Sequence, residues 1–272
     1  MQFGHETEDG MKNLALEKMR SGKRTLGTFF ELGTGNIAEC LGFTGLDYLI
    51  IDNEHGPFHP ELLPDLVRAA RLYGIEPFAR ANDISRPAIL KLLDAGASGV
   101  VIPNLKTLDE ARRIVEYGKY MPLGARGVGS ASGSGYWYAD YAQHGLEHYF
   151  EVSNRESLLL PQCETRECLD QIEAIVQLDG IDGIFVGPFD LSAALGKPGR
   201  FDDPEVRGAI QRVQRACQEA GKLSFIFAGS VPRAREAFSL GFNSVTLGTD
   251  AAVLTDAYRA MASQVFANED QG

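Results

Sequence analysis

Two carboxylates that follow short apolar runs are the first residues in this sequence that indicate chemistry. Glu164 ends the segment LLLPQCE (158–164), and Asp190 comes two residues after the segment GIFVGP (183–188). Two carboxylates that approach one centre repel each other unless a cation lies between them, and Mg²⁺ is usually held by one or two carboxylates together with water and substrate oxygens. The pair therefore predicts a divalent metal site. An N-cap role for Asp190 and an ion pair of Glu164 with Arg166 remain alternatives.

Arg80 and His55 lie at or near the ends of two other apolar runs. Arg80 lies within EPFARA (76–81), where a guanidinium is costly unless it is paired. Its planar fork suits a carboxylate or a developing oxyanion, so we interpret Arg80 as substrate-binding, with a structural ion pair as the alternative. His55 follows Asp52 by three residues, close enough for the carboxylate to orient the imidazole as a general base; an ordinary surface or core histidine is the alternative. Asp94 ends a helical segment, where an acid opposes the helix dipole, and either pairing with His55 or simple solvation fits that position.

The elements that position these residues alternate regularly along the chain. Near-continuous apolar strands joined by helices favour a parallel sheet that is covered on its outer face. Eight such units predict a closed (β/α)8 TIM barrel of the α/β class, with an open doubly wound sheet as the alternative. Active sites of such barrels lie at the carboxyl ends of the strands, so the polar residues should meet at one mouth. The predicted strands are 25–30, 47–52, 76–81, 99–104, 158–164, 183–188, 223–229 and 243–248; the predicted helices include 60–74, 86–97, 108–118, 167–178 and 204–221, and an extra helix near 11–22 closes one end of the barrel.

The organisation between these elements is simple. No linker rich in Pro, Gly and Ser divides the chain, so we predict a loose polar tail at 1–10 and one barrel domain over 11–272. The segment GARGVGSASGSG (124–135) lacks the strand and helix context of a phosphate-binding loop. We interpret it as a lid or substrate loop anchored by Arg126.

Composition excludes several other classes of protein. With 26 Lys and Arg against 37 Asp and Glu, the net charge of −11 argues against nucleic acid and anionic membrane surfaces as partners. No apolar run approaches the roughly 18 residues of a membrane span, and no signal peptide is recognisable. The four cysteines show no disulfide or zinc spacing, which favours a reducing, cytoplasmic location. No lysine ends a predicted strand where an imine could form.

Six segments that contain these residues resemble one family. DYLIIDNEHGPF, ARAND, LLDAGASGVVIP, GARGVGSA, PQCET and GIFVGPFDLSAALG occur in this order. Together they resemble the metal-dependent (class II) pyruvate aldolases of the HpcH/HpaI family, over about residues 14–265. The most specific pieces are the E-H-G-P stretch and the G-P-x-D-L-S stretch, with a glutamate 26 residues before the aspartate.

The resemblance implies roles for five residues around a bound 2-oxo acid. Glu164 and Asp190 would be the ligands of Mg²⁺, Mn²⁺ or Co²⁺. Arg80 would contact the oxygens of the pyruvate enolate. Gln162 and the backbone around Gly187 would seat the pyruvate moiety.

The same resemblance implies an acid/base dyad, an activity and an assembly. His55 would form the dyad with Asp52 or Asp94. The activity would be reversible aldol cleavage of a 4-hydroxy-2-oxo acid to pyruvate, or a close 2-oxo acid, and an aldehyde. The assembly would be a trimer or a hexamer built from trimers, with the C-terminal helix exchanged between subunits.

The sequence departs from this family at positions that bear on the second substrate. Phe189 stands where family members often carry a small residue, so it should border the substrate pocket and reshape its acceptor side. Asn53 replaces a common glycine, and residues 132–143 do not match the family's loop. Two alternatives remain: a lyase for acyl-CoA or dicarboxylate substrates of the malyl-CoA or citramalyl-CoA type, and a non-catalytic relative that binds 2-oxo acids.

Overall fold

The chain forms a closed barrel of eight parallel strands, each paired with its sequence neighbour and β1 with β8. The computed structural model describes residues 11–58 and 60–267, so the predicted tail at 1–10 lies outside the described residues. The predicted (β/α)8 barrel is confirmed, and the doubly wound alternative is wrong because the sheet closes. The strands are β1 (Thr25–Phe30), β2 (Tyr48–Asp52), β3 (Glu76–Arg80), β4 (Gly99–Ile102), β5 (Leu158–Cys163), β6 (Gly183–Val186), β7 (Leu223–Ala228) and β8 (Ser244–Thr249).

Helices cover the outer face of this barrel. One further helix precedes the first strand, and the C-terminal helix follows the last strand. Two short 3-10 segments, Pro60–Leu62 and Ser132–Trp137, lie between them. Within the described ranges, no helix has the length and apolar character needed to cross a bilayer. The helices are α1 (Leu14–Arg20), α2 (Gly35–Gly42), α3 (Leu63–Leu72), α4 (Arg86–Ala95), α5 (Leu108–Gly118), α6 (Asp140–Gln143), α7 (Leu146–Glu156), α8 (Arg166–Asp170), α9 (Ile172–Val176), α10 (Pro188–Ala194), α11 (Pro204–Glu219), α12 (Val231–Ser239) and α13 (Asp250–Phe266).

Strand β2 shows how the apolar runs build two cores. Tyr48 and Ile50 face the barrel interior, whereas Leu49 and Ile51 face the layer between sheet and helices. Successive side chains of a strand point to opposite faces, so a strand that is buried on both sides must be apolar throughout. All five residues of β2 are buried, and the one charged member is its last residue, Asp52.

The amino end of the barrel is closed by α1, as the sequence predicted. Leu16 and Met19 join the interior cluster of the barrel, and the side-chain amide of Asn13 donates to the carbonyls of Ser98 and Glu156 at 3.1 Å each. Both carbonyls lie just before the first residues of neighbouring strands. The interior is thereby sealed at this end, and only the carboxyl ends of the strands remain for a site.

The predicted helix over 167–178 is wrong as a single element. It is divided into α8 and α9 at Gln171, whose backbone is not helical (φ −114°, ψ 10°). The Gln171 side chain accepts from the Leu108 N–H at 3.2 Å and donates to the Lys106 carbonyl at 3.1 Å. These tertiary hydrogen bonds tie the Gln171 side chain to Lys106 and to the start of α5, at the residue where the helix is interrupted.

The C-terminal helix α13 leaves the barrel instead of packing along it. Asp250 fixes its start by accepting the backbone N–H groups of Glu31 and Leu32 at 2.8 and 3.1 Å. From position 252 onward every described residue of the chain is exposed. One face of the helix carries an exposed apolar stripe with helical spacing: Leu254, Tyr258, Met261 and Val265.

Candidate active site

An ion network joins the ends of β2 and β3 at the mouth of the barrel. Asp52 and Arg80 are opposite each other in the register of the two strands. The Arg80 Nε and Nη2 atoms donate to the two carboxylate oxygens of Asp52 at 2.8 and 2.6 Å, and Nη1 lies 3.0 Å from Glu54. Burial, the largest single effect, lowers the pKa of Arg80. The hydrogen bonds to Asp52 and the negative charges of Asp52, Glu54 and Glu164 together outweigh it and leave the pKa raised, so the guanidinium stays charged.

Glu164 is held just beyond the end of β5 by two neighbours. Its Oε1 accepts the Asn104 backbone N–H at 2.7 Å, and its Oε2 accepts the Gln162 side-chain amide at 2.7 Å. Asn104 donates from a left-handed conformation (φ 56°), which asparagine adopts more readily than most residues. At Gly187 an added Cβ would lie only 2.6 Å from Glu164 Oε2, so the carboxylate fills the space that a side chain would need.

The pKa of Glu164 is affected by its burial and by the neighbouring carboxylates. Burial is the largest effect on its pKa, and the charges of Asp190 and Glu54 add to it, whereas the Asn104 N–H and Arg80 oppose it. The result raises the pKa of Glu164 to about 7. Burial likewise raises the pKa of Glu54, which Arg80 counteracts. A cation between these carboxylates would relieve the repulsion.

The donor set at this position fits a hard divalent cation. Glu164 and Asp190 offer carboxylate oxygens, and the Gln162 Oε1 atom beside them is buried without a hydrogen-bond partner. Among the described residues, no group of three or more His, Cys, Asp and Glu side chains could hold a metal. A cation here would therefore rest on two carboxylates, with water and substrate oxygens as further ligands, in the manner typical of Mg²⁺.

A cavity of about 160 Å³ opens beside this donor set. Its polar lining comes from Arg80, Gln162, Asp190 and Glu31, and the backbone of Gly187 adds a further edge. Phenylalanine rings form most of the rest of its wall. A small 2-oxo acid fits the mixture of one cation, one amide and carboxylates that a metal would neutralise. The remaining lining residues are Phe29, Phe185, Pro188, Phe189, Phe227 and Thr249.

The predicted base, His55, and its two possible partners, Asp52 and Asp94, lie in three different environments. His55 is exposed, and its backbone N–H lies 3.3 Å from the Asp52 carboxylate, which Arg80 occupies. Asp94 lies at the end of α4, which returns to the amino end of the barrel, roughly 15 Å of helix away from the mouth. There it pairs with Arg126 at 2.8 Å. Within the described ranges, the His55 imidazole makes no hydrogen bond to Asp52 or Asp94.

The structure decides the two alternatives for the carboxylates. Arg166 lies 3.8 Å from Glu205, and Glu164 is held by an amide and a backbone N–H instead, so the Glu164–Arg166 ion pair is wrong. The N-cap position of α10 is Gly187, and Asp190 lies inside the first turn without capping it. The N-cap alternative is therefore also wrong.

Three residues of the site were missed from the sequence. Glu54 pairs with Arg80, Asn104 holds Glu164, and Glu31 lines the cavity. Glu54 had a signal, because it follows Asp52 by two residues and alternate residues at a strand end share a face. Asn104 is the last residue of the predicted strand 99–104, and Glu31 directly follows the predicted strand 25–30. Neither residue carried any other signal of a role in the site.

The Gly/Ser-rich segment lies on the other side of the barrel. It follows α5 and precedes β5, so it leaves from the amino end, where Gly133 packs against the backbone of Leu93. Arg126 anchors it as predicted, 7% exposed and 4.6 Å from the Tyr120 ring. The interpretation as a lid is wrong within one chain, because the strand ends it would cover are at the opposite end.

The fold and the site together define a class: a (β/α)8 barrel with carboxylates, an arginine and a small cavity at its mouth. The sequence profile described as HpcH/HpaI aldolase/citrate lyase matches residues 25–257. The chain belongs to this family. The family and the aldolase class of lyases predicted from the sequence are thereby confirmed.

Named relatives agree with this assignment. The chain is 35% identical over 242 residues to the 2-keto-3-deoxy-L-rhamnonate aldolase of Escherichia coli O157:H7, covering 89% of this chain and 88% of the relative. A solved HpcH/HpaI aldolase from Desulfitobacterium hafniense DCB-2 superposes with a TM-score of 0.85 at 27% identity, over 92% and 96% of the two chains. An HpcH/HpaI aldolase/citrate lyase family protein from Burkholderia cenocepacia J2315 gives 0.85 at 29% identity, over 93% and 99%.

Proposed function

We propose that the protein catalyses the divalent-metal-dependent, reversible aldol cleavage of a 4-hydroxy-2-oxo acid to pyruvate, or a close 2-oxo acid, and an aldehyde. The observation that carries this proposal is that Asp190, Arg80 and Gln162 line one cavity of about 160 Å³. Glu164 lies beside this lining, where it accepts the Gln162 amide at 2.7 Å. The name of the Escherichia coli relative, a 2-keto acid aldolase, supports the substrate class. The metal is Mg²⁺, Mn²⁺ or Co²⁺. We also place the protein in the cytoplasm, because all four cysteines are free.

The residues of the site divide the work of bond cleavage. A divalent cation held by Glu164 and Asp190 would supply Lewis-acid stabilisation of the negative charge that develops on the 2-oxo acid. Arg80 adds a positive charge fixed in advance by its bonds to Asp52. The buried amide of Gln162 donates one N–H to Glu164, and its second N–H is a donor that can orient an oxygen of the bound acid.

Proton transfer accompanies the breaking of the bond between C3 and C4. His55, as the base, accepts the proton of the C4 hydroxyl, and the carbonyl of the aldehyde forms. The electron pair of the C3–C4 bond passes into the enolate between C2 and C3. Carbon C3 then accepts a proton to give the 2-oxo acid. The exposed position of His55 at the mouth lets it exchange this proton with solvent.

Replacing His55 with alanine is expected to lower kcat for cleavage by about 10²–10⁴-fold, because a positioned general base contributes that much. Metal affinity should be unchanged, since the metal ligands are on other strands. Steady-state pyruvate release and titration calorimetry with Mn²⁺ measure the two quantities. His144→Ala, at another exposed histidine, is the control. Undiminished turnover of His55→Ala would remove His55 from the role of base.

Apparent metal affinity is expected to fall about tenfold per pH unit below pH 7. Glu164 must be ionised to bind a cation, and its pKa is raised to about 7, so a proton competes with the metal in that range. Above pH 7 the affinity should level off. Calorimetric titration with Mn²⁺ from about pH 5.5 to about pH 8.5 measures the curve. An affinity that does not change across pH 7 would contradict the assignment of Glu164 as a ligand.

The positions of α13 and Asp94 bear on the oligomeric state of the protein. We propose a homo-oligomer, a trimer or hexamer, in which α13 is exchanged and its exposed stripe is buried by a second copy. Because Asp94 lies at the amino end of its own barrel, only another copy could bring an Asp94 to His55. Within one chain, both oxygens of the Asp52 carboxylate already accept hydrogen bonds from Arg80.

Charge placed on the apolar stripe of α13 should therefore dissociate the assembly. Tyr258→Glu with Met261→Glu is expected to shift the mass measured by light scattering toward one chain. Ser263→Glu places a negative charge on the opposite face of the same helix, at another exposed position, and should leave the mass unchanged. An unaltered mass in the double variant would refute burial of the stripe.

The function itself is tested by an aldol-addition screen. Pyruvate is incubated with a panel of aldehydes and with each metal in turn, and products are measured by mass spectrometry. EDTA-sensitive addition supports the proposal. The absence of both addition and pyruvate release across the panel would instead favour a non-catalytic protein that binds 2-oxo acids.

A further inference from the structure

A second cavity, of about 300 Å³, adjoins the active-site cavity. It lies between α11, α12 and the end of β7, and Ile210, Ala237 and Leu240 supply apolar lining. Phe189 and Phe227 line both cavities, so their rings form the wall between them. We call this space the Phe189 cavity. The Phe189 cavity therefore borders the substrate site across these shared residues.

A row of aromatic rings leads from the active-site arginine into the Phe189 cavity. Arg80 lies 4.6 Å from the centre of the Phe29 ring. The centre of Phe29 is 5.9 Å from that of Phe227, and Phe227 is 5.8 Å from Phe189. Phe189 then meets Phe201 edge-on at 4.8 Å. A chain of carbon atoms that leaves the reacting centre would follow an apolar surface throughout.

The charges beside the Phe189 cavity are already neutralised. Arg207 pairs with Glu236 at 2.8 Å, and Arg233 pairs with Asp202 at 2.7 Å and with Glu236 at 2.8 Å. These arginines are therefore not free to bind a phosphate or a carboxylate on a substrate. On the side of the active site, Glu31 adds a negative charge that would repel such a group.

We infer that the aldehyde substrate is neutral and carries an apolar tail, aliphatic or aromatic, that binds in the Phe189 cavity. This inference rests on the proposed aldolase function and names its second substrate class. An apolar cavity of about 150 Å³ is enough to hold benzene, so a cavity of about 300 Å³ accommodates a ring or a chain of several carbons. Phe189 is half exposed, 53%, and its exposed ring is the surface along which the tail enters.

A series of acceptors tests the inference with the unmodified protein. Pyruvate and Mn²⁺ are combined with acetaldehyde, propanal, butanal, pentanal, hexanal and benzaldehyde, and with glyoxylate as an anionic acceptor. Each methylene that enters the cavity should raise kcat/KM by about three- to fourfold, because burial of a methylene is favourable. Glyoxylate should be the poorest acceptor. A flat series, or a preference for glyoxylate, overturns the inference.

Variants that fill the Phe189 cavity test whether the preference for longer aldehydes arises there. Ala237→Leu and, independently from α11, Ile210→Phe should lower kcat/KM for hexanal on the order of tenfold relative to acetaldehyde. Arg235→Leu adds the same leucine on the exposed face of α12 and should leave this ratio unchanged. Thermal unfolding identifies any variant that fails to fold. Equal hexanal-to-acetaldehyde ratios in wild type and a folded filling variant overturn the inference.

Two measurements separate this inference from the proposed function. Metal-dependent exchange of the C3 protons of pyruvate in D₂O needs no aldehyde, so it reports on enolate formation alone. Exchange with a flat acceptor series leaves the aldolase proposal standing and overturns the inference, whereas the absence of exchange overturns both. Binding of unreactive 4-fluorobenzyl alcohol, followed by fluorine NMR, should be seen in wild type and weakened in Ala237→Leu. Absence of binding to wild type also overturns the inference.

Discussion

Replacing Glu164 with glutamine is expected to abolish metal-dependent cleavage, with a loss of at least about a thousandfold in kcat/KM. The amide removes one of only two carboxylates proposed to hold a cation at the mouth, so metal binding and activity should be lost together. Asp190→Asn should have the same effect from the neighbouring strand end. Pyruvate release and calorimetric titration with Mn²⁺ measure the two losses.

The control lies three residues further along the chain. Glu167→Gln makes the same chemical change on the exposed side of α8, and it should leave both metal affinity and turnover unchanged. If purified Glu164→Gln keeps full metal-dependent cleavage, Glu164 is not a ligand. If it loses activity but binds Mn²⁺ normally, the carboxylate acts on the substrate and not on the metal.

The same substitution should stabilise the metal-free protein, which a simple loss of structure would not do. The pKa of Glu164 is raised from an ordinary value of 4.5 to about 7 in the folded chain, so the unfolded chain binds fewer protons between these values. The free energy of unfolding therefore falls as the pH rises from about 4.5 to 7. By about pH 8 the ionised carboxylate costs at most about 3 kcal/mol. Glu164→Gln should raise the Tm without metal at about pH 8 and have little effect at about pH 4.5.

The parts of this protein that were readable from the sequence are those that one strand or one strand end determines. Continuous burial on both faces makes strands such as Tyr48–Asp52 apolar, so each strand stands out in the sequence. In a barrel the carboxyl ends of all strands meet, so polar residues such as Glu164 and Arg80 at those ends had to be neighbours. The meeting of the strand ends does not depend on which side chains contact one another.

What could not be read from the sequence depends on pairings between distant elements. From the sequence, the Arg80 guanidinium could bind either a substrate or a carboxylate of the protein. Only the register of β2 and β3 shows that Asp52 lies opposite Arg80 and pairs with it. Asp94 appeared available to His55 until the direction of α4 placed it at the other end, beside Arg126. Gln171 breaks a helix because of hydrogen bonds to the β4–α5 connection, which local helix propensity does not encode.

Arg80 could serve the reaction by stabilising charge on the substrate, or it could serve the fold through its bidentate bond to Asp52. A substitution of Arg80 should reveal both effects. Arg80→Gln is expected to lower kcat/KM by about 10²–10³-fold, because a charge fixed beside the developing oxyanion is lost. It should also lower the free energy of unfolding by about 3–5 kcal/mol. Asp52 is fully buried, so without Arg80 its carboxylate loses the partner that compensates for desolvation. Chemical denaturation and steady-state kinetics measure the two effects.

A second substitution separates the two explanations. In Arg80→Gln with Asp52→Asn the buried charge is gone, and the asparagine oxygen can still accept the backbone N–H groups of Glu54 and His55. The double variant should therefore regain most of the stability that the single variant loses, while activity stays low. If activity returns together with stability, Arg80 only holds the barrel mouth together and the enolate charge is stabilised elsewhere. If stability returns alone, the ion pair positions a guanidinium that acts on the substrate, and Asp52 serves the reaction by fixing it there.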